Sequence, residues 1–194
     1  MDYQLIKNAL SPDAVNILTH SMMLHKQVMH FKKKITQERT TEFGDPQSPY
    51  CFRVYGLPFT DSVIVHMQDK MEAISGCKLY PTFSYGRINF NGGTLPKHVD
   101  RHSCEFSATI CLHNDPDPWP IFMDGEEIIM YPGDMVFYKG CKVPHWREPF
   151  TGKRQIQLFI HYVDTRGEYR DHVFDKRISL GFPYGVGKTK QNGV

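Results

Sequence analysis

The sequence lacks the features that mark several common classes of protein. Its five cysteines form no CxxC pair, so neither a disulfide framework nor a structural zinc site is indicated, and a reducing compartment fits best. No apolar run approaches the length of a membrane span, and the N-terminus has no basic start followed by an apolar stretch, so we expect a soluble cytoplasmic protein. The formal net charge is only +2, which indicates neither a membrane surface nor nucleic acid as a partner.

The length and the hydrophobic pattern indicate one domain. A chain of 194 residues with 40% hydrophobic residues can bury a substantial core, and it contains no internal repeat. Apolar residues recur with a period near 3.6 up to about residue 78, and with a period of 2 from there to residue 164. We therefore expect a helical support and flap over 1–78, a β core over 79–164, and a tail over 165–194 whose end is loose in solution.

Two helices are predicted before the β core. Ser11-Pro12-Asp13 supplies a capping hydroxyl, a proline and an acid at the start of the first helix. The apolar face of this helix contains Val15, Leu18, Met22, His25 and Met29, widened by Ala14, Ile17, Leu24 and Val28. We expect this face to pack on a sheet. A second helix is predicted from Thr60 or Asp61 to Gly76, and the segment between the helices has the composition of a mobile flap with a short strand at 50–55.

The remaining apolar patterns predict about seven short strands. Asp124-Gly125 between two apolar runs is a strong hairpin signal, and the proline-rich stretch 115–120 must be a rim loop. The predicted strands cover 81–90, 106–113, 121–123, 126–131, 135–138, 143–147 and 154–164. Helices followed by many short strands predict a mainly β fold with N-terminal helices, of which a jelly-roll, cupin-like barrel fits best.

The stretch His98-Val99-Asp100 supplies two candidate metal ligands. In an extended strand residues two apart point to the same side, so His98 and Asp100 can bind one ion together. His145 is the candidate third ligand, because two imidazoles and one carboxylate on one face of a metal leave the open positions that non-haem Fe(II) oxygenases use. A three-residue motif alone is a weak signal. The histidines that remain as alternative ligands are His102, His113 and His161.

Further motifs surround these ligands in a recognisable order. Tyr85-Gly86 and Gly92-Gly93 precede the HxD stretch, and Pro132-Gly133-Asp134 leads to Pro144-His145. Over about residues 79–164 this order resembles the Fe(II)- and 2-oxoglutarate-dependent oxygenases, in particular the prolyl 4-hydroxylase-like group. Residues 100–105 and 145–150 resemble, more loosely, small viral and marine-bacterial members. The resemblance implies a double-stranded β-helix in which the three candidate ligands hold Fe(II). It also implies 2-oxoglutarate and O₂ as co-substrates, ascorbate as a candidate reductant, and a host cytoplasm if the protein is virus-encoded.

The resemblance also implies a basic residue that meets the far carboxylate of 2-oxoglutarate. Arg154, nine residues after the distal histidine, stands at the position that the family pattern selects. Strand alternation, however, groups Arg154 with the apolar Ile156 and Leu158, on the face expected to look outward. Arg87, on the same face as Tyr85, is therefore the second candidate, and Tyr85 is implied to donate its hydroxyl to the co-substrate.

The implied reaction is the hydroxylation of an amino-acid side chain, with a peptidyl proline as the first expectation, coupled to conversion of 2-oxoglutarate and O₂ to succinate and CO₂. Two alternatives stay open: a 2-oxoglutarate oxygenase of a free amino acid, nucleobase or small metabolite, and a non-catalytic cupin-like barrel that binds a sugar or peptide. No strong basic and aromatic groove favours the nucleobase. Candidate substrate contacts are Trp119, Trp146, Arg101 and the flap before residue 58. The sequence leaves the oligomeric state open.

Overall fold

The computed structural model describes residues 2–36, 43–44 and 47–182. Two helices and ten strands lie in these residues. The helices are α1 (Pro12–Thr36) and α2 (Pro58–Ser75). The strands are β1 (Tyr3–Ile6), β2 (Cys51–Tyr55), β3 (Leu79–Phe90), β4 (Leu95–His98), β5 (Phe106–Asp115), β6 (Ile121–Met123), β7 (Glu126–Ile128), β8 (Met135–Tyr138), β9 (His145–Arg147) and β10 (Arg154–Asp164). Short 3₁₀ turns cover His102–Cys104 and Arg170–Lys176.

The strands form two antiparallel sheets that face each other. One sheet has six strands in the order β1-β8-β5-β10-β3-β2, and the other has four in the order β4-β9-β6-β7. The predicted hairpin is present between β6 and β7, where Asp124 and Gly125 both have positive φ, as a tight two-residue turn requires. The expectation of a mainly β, double-stranded β-helix with N-terminal helices is confirmed, although β1 and β2 join the sheet from the predicted helical region.

The two helices cover the outer face of the six-stranded sheet. Met22 of α1 and Met67 and Met71 of α2 are fully buried there against apolar strand residues. Gly86, the glycine of the Tyr85-Gly86 motif, allows this contact, because a Cβ at its position would lie 2.7 Å from the Met22 Cε atom. The apolar strand residues on this face are Ile88, Ala108, Ile110, Ile156, Leu158 and Ile160.

Two details of the predicted helices are wrong. Val15 and Leu18 of α1 are buried as expected, but Ile17, Leu24 and Val28 are 67%, 62% and 61% exposed, because they lie on the side of α1 that faces away from the sheet. The second helix begins at Pro58 rather than at residue 60 or 61, with that proline in its first turn. Part of the predicted flap, and the tail from residue 185 that we expect to be loose, lie outside the described residues.

The inner face of the six-stranded sheet is partly polar. Asn89 of β3 donates to Gln155 of β10 at 2.9 Å, Gln155 donates to Gln157, and Gln157 donates to the Thr109 hydroxyl of β5 at 2.6 Å. These side chains are almost fully buried, so their hydrogen bonds offset the cost of taking amides out of water. The space between the sheets is therefore lined with polar groups at its centre.

Candidate metal centre and reaction cavity

Three predicted ligands meet at one end of this space. His98 ends β4, His145 begins β9, and the two residues are direct partners in the antiparallel pairing of these strands. The Nε2 atoms of both histidines lie 3.6 Å from Oδ1 of Asp100. Metal–ligand bonds of about 2.1 Å at right angles place neighbouring ligand atoms about 3 Å apart, so a small inward shift of the three side chains would close around one ion.

Backbone groups fix the orientation of both imidazole rings. Nδ1 of His98 lies 2.7 Å from the carbonyl oxygen of Pro96, and Nδ1 of His145 lies 3.0 Å from that of Val143. Because a carbonyl oxygen can only accept, each Nδ1 atom carries the proton in the neutral ring and each Nε2 keeps its lone pair. The lone pairs of both rings thus face the Asp100 carboxylate, as metal ligation requires.

Contacts with Gly140 fix the position of Asp100. The backbone N–H of Asp100 donates to the carbonyl of Gly140 at 2.8 Å. A Cβ at Gly140 would lie 2.7 Å from Oδ2 of Asp100, so only glycine leaves room for the carboxylate. Oδ2 itself is buried and has no hydrogen-bond partner among the residues that the structure describes. A buried carboxylate oxygen in this condition is suited to a cation.

The charge states of Asp100 and His145 favour a bound cation, whereas at His98 the effect of burial, which would lower the pKa, is outweighed by Asp100 and the Pro96 carbonyl, which raise it. Burial alone would raise the pKa of Asp100, but His98, His145 and His161 together hold this pKa below its ordinary value, so the carboxylate is charged at neutral pH. Burial lowers the pKa of His145 below its ordinary value, with Asp100 opposing the shift, which keeps this imidazole neutral. One carboxylate with one neutral imidazole beside it is a donor set that a divalent ion can use.

A cavity of about 420 Å³ opens beside these ligands. Its size is that of a site for a small molecule. Aromatic rings form much of its wall, and Arg87 and Arg101 bring positive charge to it. The lining residues are Gln47, Tyr55, Phe83, Tyr85, Arg87, Leu95, His98, Val99, Asp100, Arg101, Cys104, Tyr138, His145, Phe159 and His161.

The two candidate arginines lie on opposite sides of the sheet. Arg87 lines the cavity, is only 6% exposed, and has its guanidinium 5.4 Å from the ring centroid of Tyr85 and 5.9 Å from that of Phe159. Arg154 lies outside the cavity, where its Nη2 atom is 3.3 Å from Nε2 of His113 and 3.9 Å from Oδ2 of Asp115.

Strand alternation explains this difference. Arg154 shares the outer face of β10 with Ile156 and Leu158. The pairing of β10 with β5 does contain an irregularity, but it comes after Ile156, where Leu112 is the extra residue on β5. Arg154 is therefore not turned inward, and of the two candidate arginines only Arg87 can reach a molecule in the cavity.

His161 forms a second group of potential ligands with Asp100 and Cys104, whose donor atoms lie within 4.8 Å of one another. Burial lowers the pKa of His161 to about 4, and its Nδ1 atom lies 2.8 Å from the hydroxyl of Ser107. Burial raises the pKa of the Cys104 thiol well above its ordinary value, which disfavours the thiolate that a metal needs. The group formed by His98, Asp100 and His145 is therefore the better metal site.

The other two alternative histidines lie outside the cavity. His102 is exposed, and its ring stacks on Tyr169 with centroids 4.4 Å apart. His113 contacts Arg154 on the outer side of the barrel. Neither belongs to a group of potential metal ligands within the part of the chain that is described.

Sequence reasoning missed two buried residues near the site. Tyr138 of β8 lines the cavity, and its ring meets that of His145 edge-on with centroids 4.8 Å apart. Arg147 is fully buried two residues after His145; it donates from Nη1 to the Trp119 carbonyl, and burial lowers its pKa to about 10. Strand alternation could have identified both, because Tyr138 follows Val136 and Arg147 follows His145 at a spacing of two.

The two tryptophans do not line the cavity. Trp119 is buried, donates from its indole N–H to the Glu148 carbonyl at 2.8 Å, and lies beneath the Arg147 guanidinium. Trp146 stacks on Phe122 with ring centroids 5.1 Å apart. Both rings therefore have packing partners away from the metal ligands.

A residue of the predicted tail contacts two residues of the cavity wall. Arg101 makes a two-pronged ion pair with Asp175, at 2.7 and 2.8 Å, and the Tyr55 hydroxyl donates to the same carboxylate. The Arg101 guanidinium lies 4.6 Å from the ring centroid of Phe83, which stacks on Tyr55. Asp175 belongs to the 3₁₀ segment Arg170–Lys176. Arg101 is thus at the cavity, as expected of a substrate contact, with its charge balanced by Asp175.

Comparisons with known proteins bear on the fold. No protein-family model matches the sequence, and no curated protein matches it. Among solved structures, the viral collagen prolyl hydroxylase of Paramecium bursaria Chlorella virus-1, in complex with 2-oxoglutarate, aligns with a TM-score of 0.62 and 12% identity over 84% of this chain and 96% of that one. A prolyl-4-hydroxylase of Pseudomonas putida aligns with a TM-score of 0.60 and 18% identity over 86% and 94% of the two chains.

A third similar structure binds a different kind of molecule. HygX of Streptomyces hygroscopicus, with nickel, 2-oxoglutarate and hygromycin B bound, aligns with a TM-score of 0.59 and 11% identity, over 85% of this chain and 84% of that one. At such identities the likeness shows the fold and not the substrate. The chain has the double-stranded β-helix fold of the prolyl 4-hydroxylases and other Fe(II)/2-oxoglutarate-dependent oxygenases.

Proposed function

We propose that this chain is an Fe(II)- and 2-oxoglutarate-dependent dioxygenase that hydroxylates an amino-acid side chain, with a peptidyl proline as the leading candidate. The observation that carries this proposal is the meeting of His98, Asp100 and His145 beside a cavity, with both Nε2 atoms 3.6 Å from one carboxylate oxygen. Bound iron, 2-oxoglutarate and O₂ supply the oxidising power, and succinate and CO₂ leave as products. The protein contributes binding, orientation and shielding from water.

The residues of the site fit these groups. His98 and His145 offer lone pairs on rings that the backbone orients, and Asp100 offers a charged carboxylate with a buried oxygen that needs a cation. Two imidazoles and one carboxylate leave positions for a chelating co-substrate. HygX has a similar fold and its structure contains nickel and 2-oxoglutarate, which supports a divalent metal ion and 2-oxoglutarate as ligands of this site.

Arg87 is our candidate for the far carboxylate of 2-oxoglutarate. Its guanidinium is buried in the cavity wall, where an anion would be paired at short range in a medium of low dielectric constant. Its planar fork can donate to both carboxylate oxygens. Tyr85, whose ring lies beneath this guanidinium, is the candidate hydroxyl donor to the co-substrate.

The cavity wall suits an uncharged side chain of the size of proline. Tyr55 and Phe83 stack with centroids 5.0 Å apart and offer apolar surface, while Asp175 balances the charge of Arg101 beside them. The fold shared with the viral collagen prolyl hydroxylase and the bacterial prolyl-4-hydroxylase favours a peptidyl proline. The hygromycin B bound to HygX supports the second candidate, an oxygenase of a free amino acid or another small molecule.

Succinate formation tests the enzyme class. With Fe(II), ascorbate and 2-oxoglutarate we expect slow uncoupled turnover, which His145→Ala should reduce to background because the third ligand is lost. His113→Ala is the matched control, since His113 lies outside the cavity and its loss should leave turnover unchanged. Thermal unfolding of both variants checks that each is folded. Turnover that survives in His145→Ala would disprove this metal site, and absence of turnover together with tight sugar binding would favour a non-catalytic barrel.

A mass-shift screen tests the substrate. Proline-containing peptides are incubated with the loaded enzyme and examined for the gain of one oxygen atom. Oxidation of such a peptide, lost in His145→Ala, is the expected result. Oxidation of free amino acids or small metabolites, with peptides unchanged, would contradict the peptidyl substrate and favour an oxygenase of small molecules.

A further inference from the structure

The outward face of α1 carries a continuous apolar stripe. Its four large members, Ile17, Leu24, Val28 and Phe31, are 67%, 62%, 61% and 51% exposed. Together with the half-buried Ala14 and Ser21, they occupy positions 14, 17, 21, 24, 28 and 31. Steps of three and four residues in alternation are the spacing of a coiled-coil seam, which packs against another helix.

Among the described residues, the fold uses only Ala14 of this stripe, which is partly buried against the core. The opposite face of α1 packs on the sheet through Val15, Leu18 and Met22. An outward helix face is ordinarily rich in charge, yet from residue 14 to residue 31 the sequence contains a single charged residue, Lys26. The Lys26 ammonium lies 5.3 Å from the ring centroid of Phe90, so its charge is held toward the sheet side. The stripe is therefore free of charged residues, and Ser21 is its one polar member.

We propose that the stripe is a dimer interface, in which α1 of one copy packs antiparallel against α1 of a second copy of this chain. A two-fold axis between positions 21 and 24 sets Ser21 against Leu24 of the other copy and Ile17 against Val28. The same register sets the small Ala14 against the large Phe31. Each layer thus combines a smaller and a larger side chain, which is what close packing of two helices needs.

A parallel pair fits the same residues less well. It would set Phe31 against Phe31 and Ala14 against Ala14, which overfills one layer and leaves space in the other. It would also place the two exposed Lys32 side chains near each other, whereas the antiparallel pair separates them. The self-complementary pattern of the stripe therefore favours a second, antiparallel copy over a different helix.

The area of the stripe is sufficient for a dimer. Eighteen residues at about 1.5 Å each give a seam of about 27 Å. The four large side chains expose roughly 500 Å² per copy, or at most about 1,000 Å² for the pair, which is the lower limit for a specific interface and is increased by flanking residues. An apolar patch of this size on a monomer would be at the upper end of what soluble proteins expose.

Sedimentation equilibrium of the full chain over a range of concentrations tests the dimer. We expect a dimer at micromolar concentration, and Leu24→Glu should raise the dissociation constant at least about 100-fold because it places two carboxylates at the centre of the apolar seam. Val65→Glu is the matched control, since Val65 is 64% exposed on α2, away from the stripe. A wild-type chain that is monomeric at every concentration would overturn the proposal, and so would a dimer that Leu24→Glu leaves intact.

Disulfide cross-linking tests the register. The double variant Ile17→Cys/Val28→Cys should form a covalent dimer on mild oxidation, because the antiparallel register sets position 17 of one copy against position 28 of the other. Val28→Cys alone should not, because this register separates the two Val28 residues by about 16 Å along the helix axes. The wild-type chain measures any background from its own cysteines, of which Cys77 and Cys141 are partly exposed. Efficient cross-linking of Val28→Cys alone would show a parallel pair and overturn the proposed arrangement.

Discussion

The two faces of β10 are both largely buried but differ in polarity. On the outer face, Ile156, Leu158 and Ile160 are fully buried beneath the helices. On the inner face, Gln155 and Gln157 are 1% exposed, and both belong to a chain of hydrogen bonds that also includes Asn89. Burying apolar groups stabilises the fold. Burying amide groups contributes little net stability even when all their hydrogen bonds are satisfied, because these replace hydrogen bonds to water.

This contrast separates stability from ligand binding. The apolar side chains of the outer face are buried against the apolar faces of α1 and α2, which stabilises the fold. The inner face holds the polar and charged groups that can bind a small anion or a metal ion. Asp100 would be costly in a barrel that served only to fold, because its buried Oδ2 atom has no hydrogen-bond partner among the described residues. The inner face is therefore suited to binding a metal ion and a small anion, whereas the outer face stabilises the fold.

The largest effect is expected on the outer face. Leu158→Ala should lower the free energy of unfolding by about 3 to 4 kcal/mol, because a fully buried leucine leaves a cavity that its close-packed neighbours cannot fill. Urea unfolding followed by circular dichroism measures the change. Binding of Mn²⁺ by the folded fraction should be unaltered. A matched loss of metal affinity would mean that the two faces are not independent.

The inner face should show its polarity in the dependence of stability on pH. Burial lowers the pKa of His161 to about 4 in the folded state, against about 6.5 in an unfolded chain. As the pH falls below 6.5, His161 takes up a proton in the unfolded state but stays neutral in the folded state. The free energy of unfolding therefore decreases between pH 6.5 and pH 4. The metal-free protein should lose about 2 to 3 kcal/mol between pH 7 and pH 4.5 from this group alone.

His161→Gln is the comparison variant for this experiment. Glutamine can keep a hydrogen bond to the Ser107 hydroxyl but does not titrate, so the slope of stability against pH should be flatter in the variant. Denaturant unfolding at several pH values gives the two slopes. Parallel slopes in the two proteins would show that His161 is already protonated, or accessible to protons, in the folded state.

The same contrast explains how far the sequence could predict the structure. Strand alternation correctly divided β10 into its two faces, because one side chain in two must point inward in any sheet. It also placed Arg87 with Tyr85, and both line the cavity. The period of α1 was less informative, because apolar residues occur on both of its sides and the 3.6-residue repeat does not say which side meets the sheet.

Contacts between distant segments carried no signal in the sequence. Arg101 and Asp175 are 74 positions apart, and no spacing or local pattern links them. The orientation of the two histidine rings depends on the carbonyls of Pro96 and Val143, which any residue could have supplied. Such features depend on where the barrel closes, so only the folded chain reveals them.

A smaller effect is expected from the inward arginine. Arg87→Met should weaken the binding of 2-oxoglutarate about 100-fold, because the far carboxylate would lose a two-pronged, charge-assisted partner in a buried site. Calorimetry in the presence of Mn²⁺ measures the affinity without turnover. Arg87→Lys should recover part of it, since the charge remains while the fork geometry is lost. Unchanged affinity in Arg87→Met would assign the carboxylate to another cation.

The smallest effect is expected from the outward arginine. Arg154→Met should change the affinity for 2-oxoglutarate by less than about twofold, and stability by less than about 0.5 kcal/mol, because its contact with Asp115 is a long and partly exposed ion pair. The same calorimetric and unfolding experiments apply. A large loss of co-substrate affinity in this variant, with Arg87→Met near normal, would require β10 to shift by one residue when 2-oxoglutarate binds. That shift would also turn Gln155 and Gln157 outward and place Ile156 and Leu158 in the cavity, an exchange that the apolar cover of α1 and α2 strongly opposes.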